Sequence, residues 1–244
     1  TYYQEIFSSA DPGVTTPANS ELSMAYGHSA GSGSVDLTGN LNNDTPSRAI
    51  YKQYAQLLLA PNDRKFTFNG VDSDHIYVLN FNRARIREKI DPGNIEISLA
   101  HGATGSDRVV LIDDSSTNKG GNSNERNFSP EYNIVSGTLE GGTTINTAAA
   151  SENSTLGSYG TFYPSLGTLI LNPDRLSAAP LALITASGSN SDDRNNRKLF
   201  NAIVDGGKFT MKRKEEITSV HYFVRATSNN FNATTNETYY TQSV

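Results

Sequence analysis

The chain has 244 residues, 36% of them apolar, with a formal net charge of −5 and no cysteine. That length can bury a sizeable core in one large domain or two closely joined ones, and the excess of Asn, Ser, Thr and Gly favours short strands with polar loops over helical bundles. Disulfides, thiolate metal sites and cysteine nucleophiles are excluded, no run nears the roughly 20 apolar residues that span a bilayer, and the charge offers nucleic acid no footprint.

The absence of cysteine fits assembly in a reducing cytoplasm. Thr1-Tyr2-Tyr3 is not a charged segment followed by an apolar one, so no signal peptide is expected. The missing Met at position 1 points to a processed or trimmed start.

Residues 1–44 are rich in Ser, Gly, Asn and Thr, with G-H-S-A-G-S-G-S at 27–34. Such a segment buries too little to offset its ordering entropy, so an extended polar N-terminal arm is expected. The body of the domain or a neighbouring chain would hold it, with Tyr2 and Tyr3 as interface anchors.

Thr45 as N-cap and Pro46 at the first helical position start the clearest helix, near 46–60. Ile50, Tyr54, Leu57 and Leu58 form its apolar stripe and Pro61 lies just past its end. The stripe would pack on the sheet, or in a sharper reading dock another subunit. Phe66, Phe68 and Val71 predict a short strand closed by Asn69-Gly70.

His75 to Asn82 sets Ile76, Val78 and Asn80 against Tyr77, Leu79 and Phe81. Both sets are mostly apolar, so this strand should be covered on both faces at the centre of the domain. A basic connector follows, with Arg83, Arg85, Arg87 and Lys89, and then the turn Asp91-Pro92-Gly93-Asn94. Ile95, Ile97 and Leu99 alternate with Glu96 and Ser98, which predicts a strand with one wet face.

Val109 to Ile112 reads as a buried strand, and Asp113 to Phe128 as a long polar loop. Within it, Asp114, Ser116, Asn118 and Glu125 occupy calcium-loop positions 1, 3, 5 and 12. Lys119 stands where that loop needs Gly, and an ordinary polar loop explains the residues as well.

Tyr132 to Gly137 predicts a strand, followed by a Gly141-Gly142 turn. Tyr159 to Asn172 predicts two strands or one bent strand, with a break or an edge at Pro164. Asn172-Pro173-Asp174 reads as a cap and first turn of a short helix through Leu176. A second helix near 194–205 shows Leu199, Ile203 and Phe200 on its apolar side and ends at Gly206-Gly207. Phe209 and Met211 suggest a strand, and Ile217 to Arg225 is the last strong one. Its H-Y-F-V-R-A echoes H-I-Y-V-L-N at 75–80. Residues 226–244 read as a C-terminal arm anchored by Phe231, Tyr239 and Tyr240.

Catalytic signatures are missing. His28, His75, His101 and His221 form no H-E-x-x-H pair, and His75 and His221 read as structural residues of apolar strands. No G-x-S-x-G elbow and no phosphate-cradling Gly loop occur. Asp72 with Asp74, and Asp192 with Asp193, are turn-forming acids that would serve a glycosidase only at the required separation. The basic clusters at Arg83 to Lys89 and Lys208 to Lys214 are interrupted by Glu88, Glu215 and Glu216. They read as solvated faces or subunit salt bridges. Asn-x-Ser/Thr at Asn153 and Asn232 is what chance gives in so Asn- and Thr-rich a chain.

Five phrases taken in order carry a resemblance: D-H-I-Y-V-L-N-F-N-R-A-R, K-I-D-P-G-N, Y-N-I-V-S-G, Y-G-T-F-Y-P-S-L-G-T-L-I-L-N and S-V-H-Y-F-V-R-A. Over about residues 47 to 232 the chain resembles virion structural proteins of contractile-tailed bacteriophages, particularly those infecting cyanobacteria. The resemblance implies a tail or baseplate component, assembled in the host cytoplasm, that contacts other virion proteins and copies of itself. It brings no catalytic residues, cofactor or small-molecule substrate.

The expectation is a mainly β, α+β protein. An antiparallel core over 45–225 carries two or three short helices, with polar arms at 1–44 and 226–244. No enzyme activity, cofactor, nucleic acid or membrane is expected. The expected interface residues are Tyr2, Tyr3, Arg83, Arg85, Arg87, Phe231, Tyr239 and Tyr240. A carbohydrate-binding or adhesion module, with Tyr2-Tyr3 and Tyr239-Tyr240 stacking sugars, is the rival. A hydrolase with two paired carboxylates is the third reading.

Overall fold

A computed structural model describes residues 3–7, 20–34, 45–102, 107–122, 130–146, 155–178, 181 and 194–225. Its middle strand is β5 (His75–Phe81), and the two side-chain sets read from the sequence pack on two different clusters. Tyr77, Leu79 and Phe81 join the larger cluster, and Ile76 and Val78 join the smaller. Each such side chain, fully buried, contributes on the order of 1.5–3 kcal/mol.

β5 lies within a curled, half-barrel sheet of ten antiparallel strands. The order across it is β1 (Tyr3–Phe7), β2 (Ser20–His28), β5, β12 (Thr168–Leu171), β11 (Gly160–Tyr163), β9 (Tyr132–Thr138), β8 (Arg108–Asp113), β7 (Glu96–Ala100) and β13 (Phe209–Thr210). The short β10 (Thr144–Ile145) pairs with β9. Two ribbons complete the strands: β3 (Phe66–Phe68) with β4 (Val71–Ser73), and β6 (Lys89–Ile90) with β14 (Arg213–Lys214). Four helices are described, α1 (Pro46–Leu58), α2 (Arg83–Ile86), α3 (Pro173–Ser177) and α4 (Arg194–Gly206). The mainly antiparallel β character is therefore as expected.

Local chemistry accounts for the joints. Asn69 and Gly70, both at positive φ, make the two-residue turn of the β3–β4 hairpin. Asn172 caps α3 by accepting from the Asp174 and Arg175 N–H groups at 3.1 and 3.4 Å. Pro164 falls in the turn between β11 and β12, so it marks a break rather than an edge.

The structure corrects several expectations. Within the expected arm 1–44, Ser20–His28 is an internal strand, paired with β5 from Leu22 to His28 and with β1 on its other side. Leu22, Met24 and Tyr26 are buried at period-two spacing, a pattern masked by the surrounding Ser and Gly. Gly27 is needed there, because a Cβ would meet the Tyr51 backbone nitrogen at 2.9 Å where α1 crosses β2.

On α1, Tyr51 and Leu58 are buried but Leu57 is 49% exposed, so the stripe is rotated from the one expected. Thr45 sits at the N-cap, yet its hydroxyl donates to the Gly31 carbonyl at 2.7 Å instead of capping. β7 has no wet face: Glu96 and Ser98 are 3% and 1% exposed. The end of α4 presses on that strand, and a Cβ on Gly206 would collide with the Ser98 carbonyl. Lys208 compensates the Glu96 charge at 2.7 Å. The basic connector begins as the short helix α2, capped by Asn82.

Candidate functional site

The stretch that follows α4 is held to the body almost residue by residue. The Ser98 N–H donates to the Lys208 carbonyl at 2.8 Å, Phe209 and Thr210 pair with Ile97 and Glu96, and the Asp91 N–H donates to Lys212 at 2.8 Å. Arg213 and Lys214 then pair with Ile90 and Lys89. A final clamp closes on the two glutamates that follow. Arg87 pairs with Glu215, Lys89 with Glu216 at 3.4 Å, and the Glu216 N–H donates to the Glu88 carboxylate at 2.8 Å. Arg87 has a φ of 55°, a backbone conformation that L side chains rarely adopt.

From Ile217 to Arg225 no such attachment is present among the described residues. Ile217, Val220, Tyr222, Phe223 and Val224 are 65 to 97% exposed, and no strand pairs with 217–225 among the described residues. The strand expected over Ile217 to Arg225 is therefore not part of the sheet, and His221 is not a residue of a packed strand. In an extended conformation the alternation would put Val220, Tyr222 and Val224 on one side. Contiguous apolar surface of this kind is uncommon on a monomeric protein.

The expected interface residues divide accordingly. Arg85 reaches Glu21 at 3.0 Å, Arg87 is spent on Glu215, and Arg83 donates to the Ser165 carbonyl at 2.6 Å. Each of the three arginines thus has a partner within the chain, while Arg83 and Arg87 stay exposed on the surface. Tyr3 stands on β1, 56% exposed. Tyr2, Phe231, Tyr239 and Tyr240 lie outside the described residues, as do the C-terminal arm 226–244, Asp192 with Asp193, and Asn153 and Asn232.

A second concentration of polar groups sits where β2, β5 and α3 converge. Asp174 at the start of α3 accepts from His75 Nε2 at 2.8 Å, and Tyr26 Oη lies 3.4 Å from Nδ1 of the same ring. A carboxylate only accepts, so Nε2 carries a proton in this contact. Ser73 donates to the His75 carbonyl at 2.7 Å, and Lys65 and Ser29 both reach Asp74, at 2.8 and 3.0 Å. The His75 contact holds the Asp174 carboxyl below the usual range, and Lys65 does the same for Asp74. Burial, with His75 beside it, lowers His28. Both nitrogens of His75 have partners, and the cluster ties β5 to α3. Sequence gives little hint of the pairing, since His75 and Asp174 are 99 residues apart.

Of the calcium-loop candidates, Asp114 and Asn118 are engaged in hydrogen bonds of their own. Both Asp114 oxygens are taken by Asn133, from its N–H and its side-chain amide at 2.9 Å each. Asn118 turns instead to Asn122 at 3.0 Å, and Glu125 lies outside the described residues. Burial raises Asp114, against the pull of those hydrogen bonds. No metal-binding cluster of three or more His or acidic residues occurs among the described residues. A cavity of about 140 Å³ opens where β9 leaves β11, lined by Asn69, Asn133, Val135, Ser136 and Tyr159. That is below the roughly 300 Å³ at which small-molecule pockets begin.

No helix among the described residues is long and apolar enough to cross a membrane. Comparison with protein-family models, curated proteins and solved structures finds no match to this chain.

Proposed function

We propose that this chain is a structural subunit of a bacteriophage virion, in the tail or baseplate, and that it works by protein–protein assembly. The observation that carries the reading is the segment Ile217–Arg225. The chain is zipped down through Glu216 and then presents Val220, Tyr222, Phe223 and Val224 to solvent at 65 to 97% exposure. Such a segment gains order by lying on a neighbour, which covers its apolar side chains and pairs its backbone. The virion assignment is supported by the strand and turn phrases that resemble contractile-tail proteins.

The test replaces Val220, Tyr222, Phe223 and Val224 together by Ser. These side chains touch little of their own domain, so the melting temperature should stay where it is. Mass-spectrometric counting of the subunit in purified particles should show at least a tenfold loss. Normal copy number in the particles would overturn the proposal.

A further inference from the structure

We infer that the cavity between β9 and the chain leading into β11 binds the ring of one uncharged sugar, a hexopyranose unit. The inference goes beyond the assembly reading and uses none of its residues. The cavity measures about 140 Å³, too little for a drug-sized ligand. It matches the space that admits one six-membered ring, as an engineered cavity of roughly 150 Å³ does for benzene. Larger substituents on such a ring would stand at the mouth.

Three local features build the walls. β9 pairs with β11 from Tyr132 to Ile134 and parts from it at Val135. Gly157, at a φ of 78°, lets the chain before β11 close on the β3–β4 hairpin, since a Cβ there would collide with the Phe68 carbonyl oxygen. Asn69, in the turn of that hairpin, is exposed and lines the cavity at its rim. Finally, the Arg175 guanidinium lies 4.6 Å from the centroid of the Tyr159 ring and holds it from one face. The opposite face and the edge of Tyr159 are what remain for the cavity.

The lining offers more hydrogen bonding than the protein itself uses. Ser158 is 9% exposed, and its Oγ has no partner among the described residues. The Asp114 carboxylate accepts from the Asn133 side-chain nitrogen at 2.9 Å, which fixes the amide and leaves its Oδ1 to accept elsewhere. The side chains of Asn69 and Ser136 bond to none of the described residues. Two amides and two hydroxyls are thus gathered around one space with Val135 and the Tyr159 ring. Buried polar groups without a partner are few in folded proteins, so one that borders a cavity calls for a polar occupant.

The same lining selects among occupants. None of its residues is charged, so an ion entering would lose its hydration with no opposite charge to replace it. A purely apolar ligand would strand the Asn and Ser groups. A pyranose meets both demands, with hydroxyls that donate and accept around its edge and C–H faces that pack on an aromatic ring.

The test titrates the isotope-labelled full chain with the methyl glycosides of glucose, galactose and mannose, read by NMR. At least one should shift the amides of Val135, Ser136, Ser158 and Tyr159 along a saturable curve, with a dissociation constant in the millimolar range expected of so small a ligand. Asn69→Gly keeps the positive φ of the hairpin turn and removes one amide, so it should weaken binding roughly 2- to 10-fold. Ser136→Leu fills the cavity and should abolish binding, with thermal unfolding showing that the variant is folded. Benzene and methyl glucuronide serve as the apolar and the charged counterparts. The inference is overturned by no saturable shift with any of the three glycosides, by binding unchanged in Asn69→Gly and in folded Ser136→Leu, or by benzene or the glucuronide binding as tightly as the best glycoside.

Discussion

Replacing Tyr51 by Phe should be costly for a change of one oxygen atom. Phe66 and Ser73 are register partners at the open end of the β3–β4 hairpin. The Tyr51 hydroxyl stands between them, accepting from the Phe66 N–H at 3.1 Å and donating to the Ser73 carbonyl at 2.8 Å. Tyr51 is 2% exposed, so no solvent replaces the hydroxyl when it goes. Two buried backbone groups are then orphaned, and each unsatisfied group costs about 1–3 kcal/mol. Partial closure of the hairpin recovers some of this, which leaves about 2–3 kcal/mol. The ring itself stays, still edge-on to Phe66, so the loss is not a packing effect. Urea unfolding should show a lowered midpoint at unchanged slope. The melting temperature should fall by roughly 4–12 °C, at about 2–4 °C per kcal/mol for a chain of this size. A loss below about 0.5 kcal/mol would mean that the hydroxyl is no bridge, and would refute the reasoning.

Two further outcomes concern the same framework. Asp74 and Asp174 are held below the usual carboxyl range, so their contribution is full above the unfolded value of about 4 and fades as pH falls below it. His28 is lowered as well, so the unfolded chain takes up its proton first and stability starts to drop below about pH 6.5. Urea midpoints from pH 7 to 3 should decline in both ranges, and His28→Gln should flatten only the upper one; a variant with the original upper slope would rule out His28 as its source. Gly206→Ala should destabilise by about 1–3 kcal/mol, because the new methyl collides with the Ser98 backbone and must push α4 off β7. An unchanged melting temperature would show that the helix end yields at no cost.

Much of the framework is legible one phrase at a time. Strong local signals survived folding: the two-faced strand at His75–Phe81, the Asn69-Gly70 hairpin turn, the Asn172-Pro173 helix start and the helix after Arg194. Each rests on dihedral preference or short-range periodicity, which act within a few residues. What failed was placement. Ser20–His28 reads as an arm because its neighbours are Ser and Gly, although Leu22, Met24 and Tyr26 alternate within it. Glu96 reads as solvent-facing because nothing nearby shows that Lys208 neutralises it, 112 residues on.

The echo between H-I-Y-V-L-N and H-Y-F-V-R-A shows the limit most plainly. The first copy is the buried heart of the sheet and the second lies in water. Alternation in the residues says that one face or both must be covered, and so it settles which stretches can be strands. It carries no term for which surface does the covering, because that is decided by contacts between groups tens to hundreds of residues apart. β5 meets β2 and β12 on either side, whereas the chain is clamped at Glu215 and Glu216 by Arg87, Lys89 and Glu88 and the later stretch pairs with no strand among the described residues.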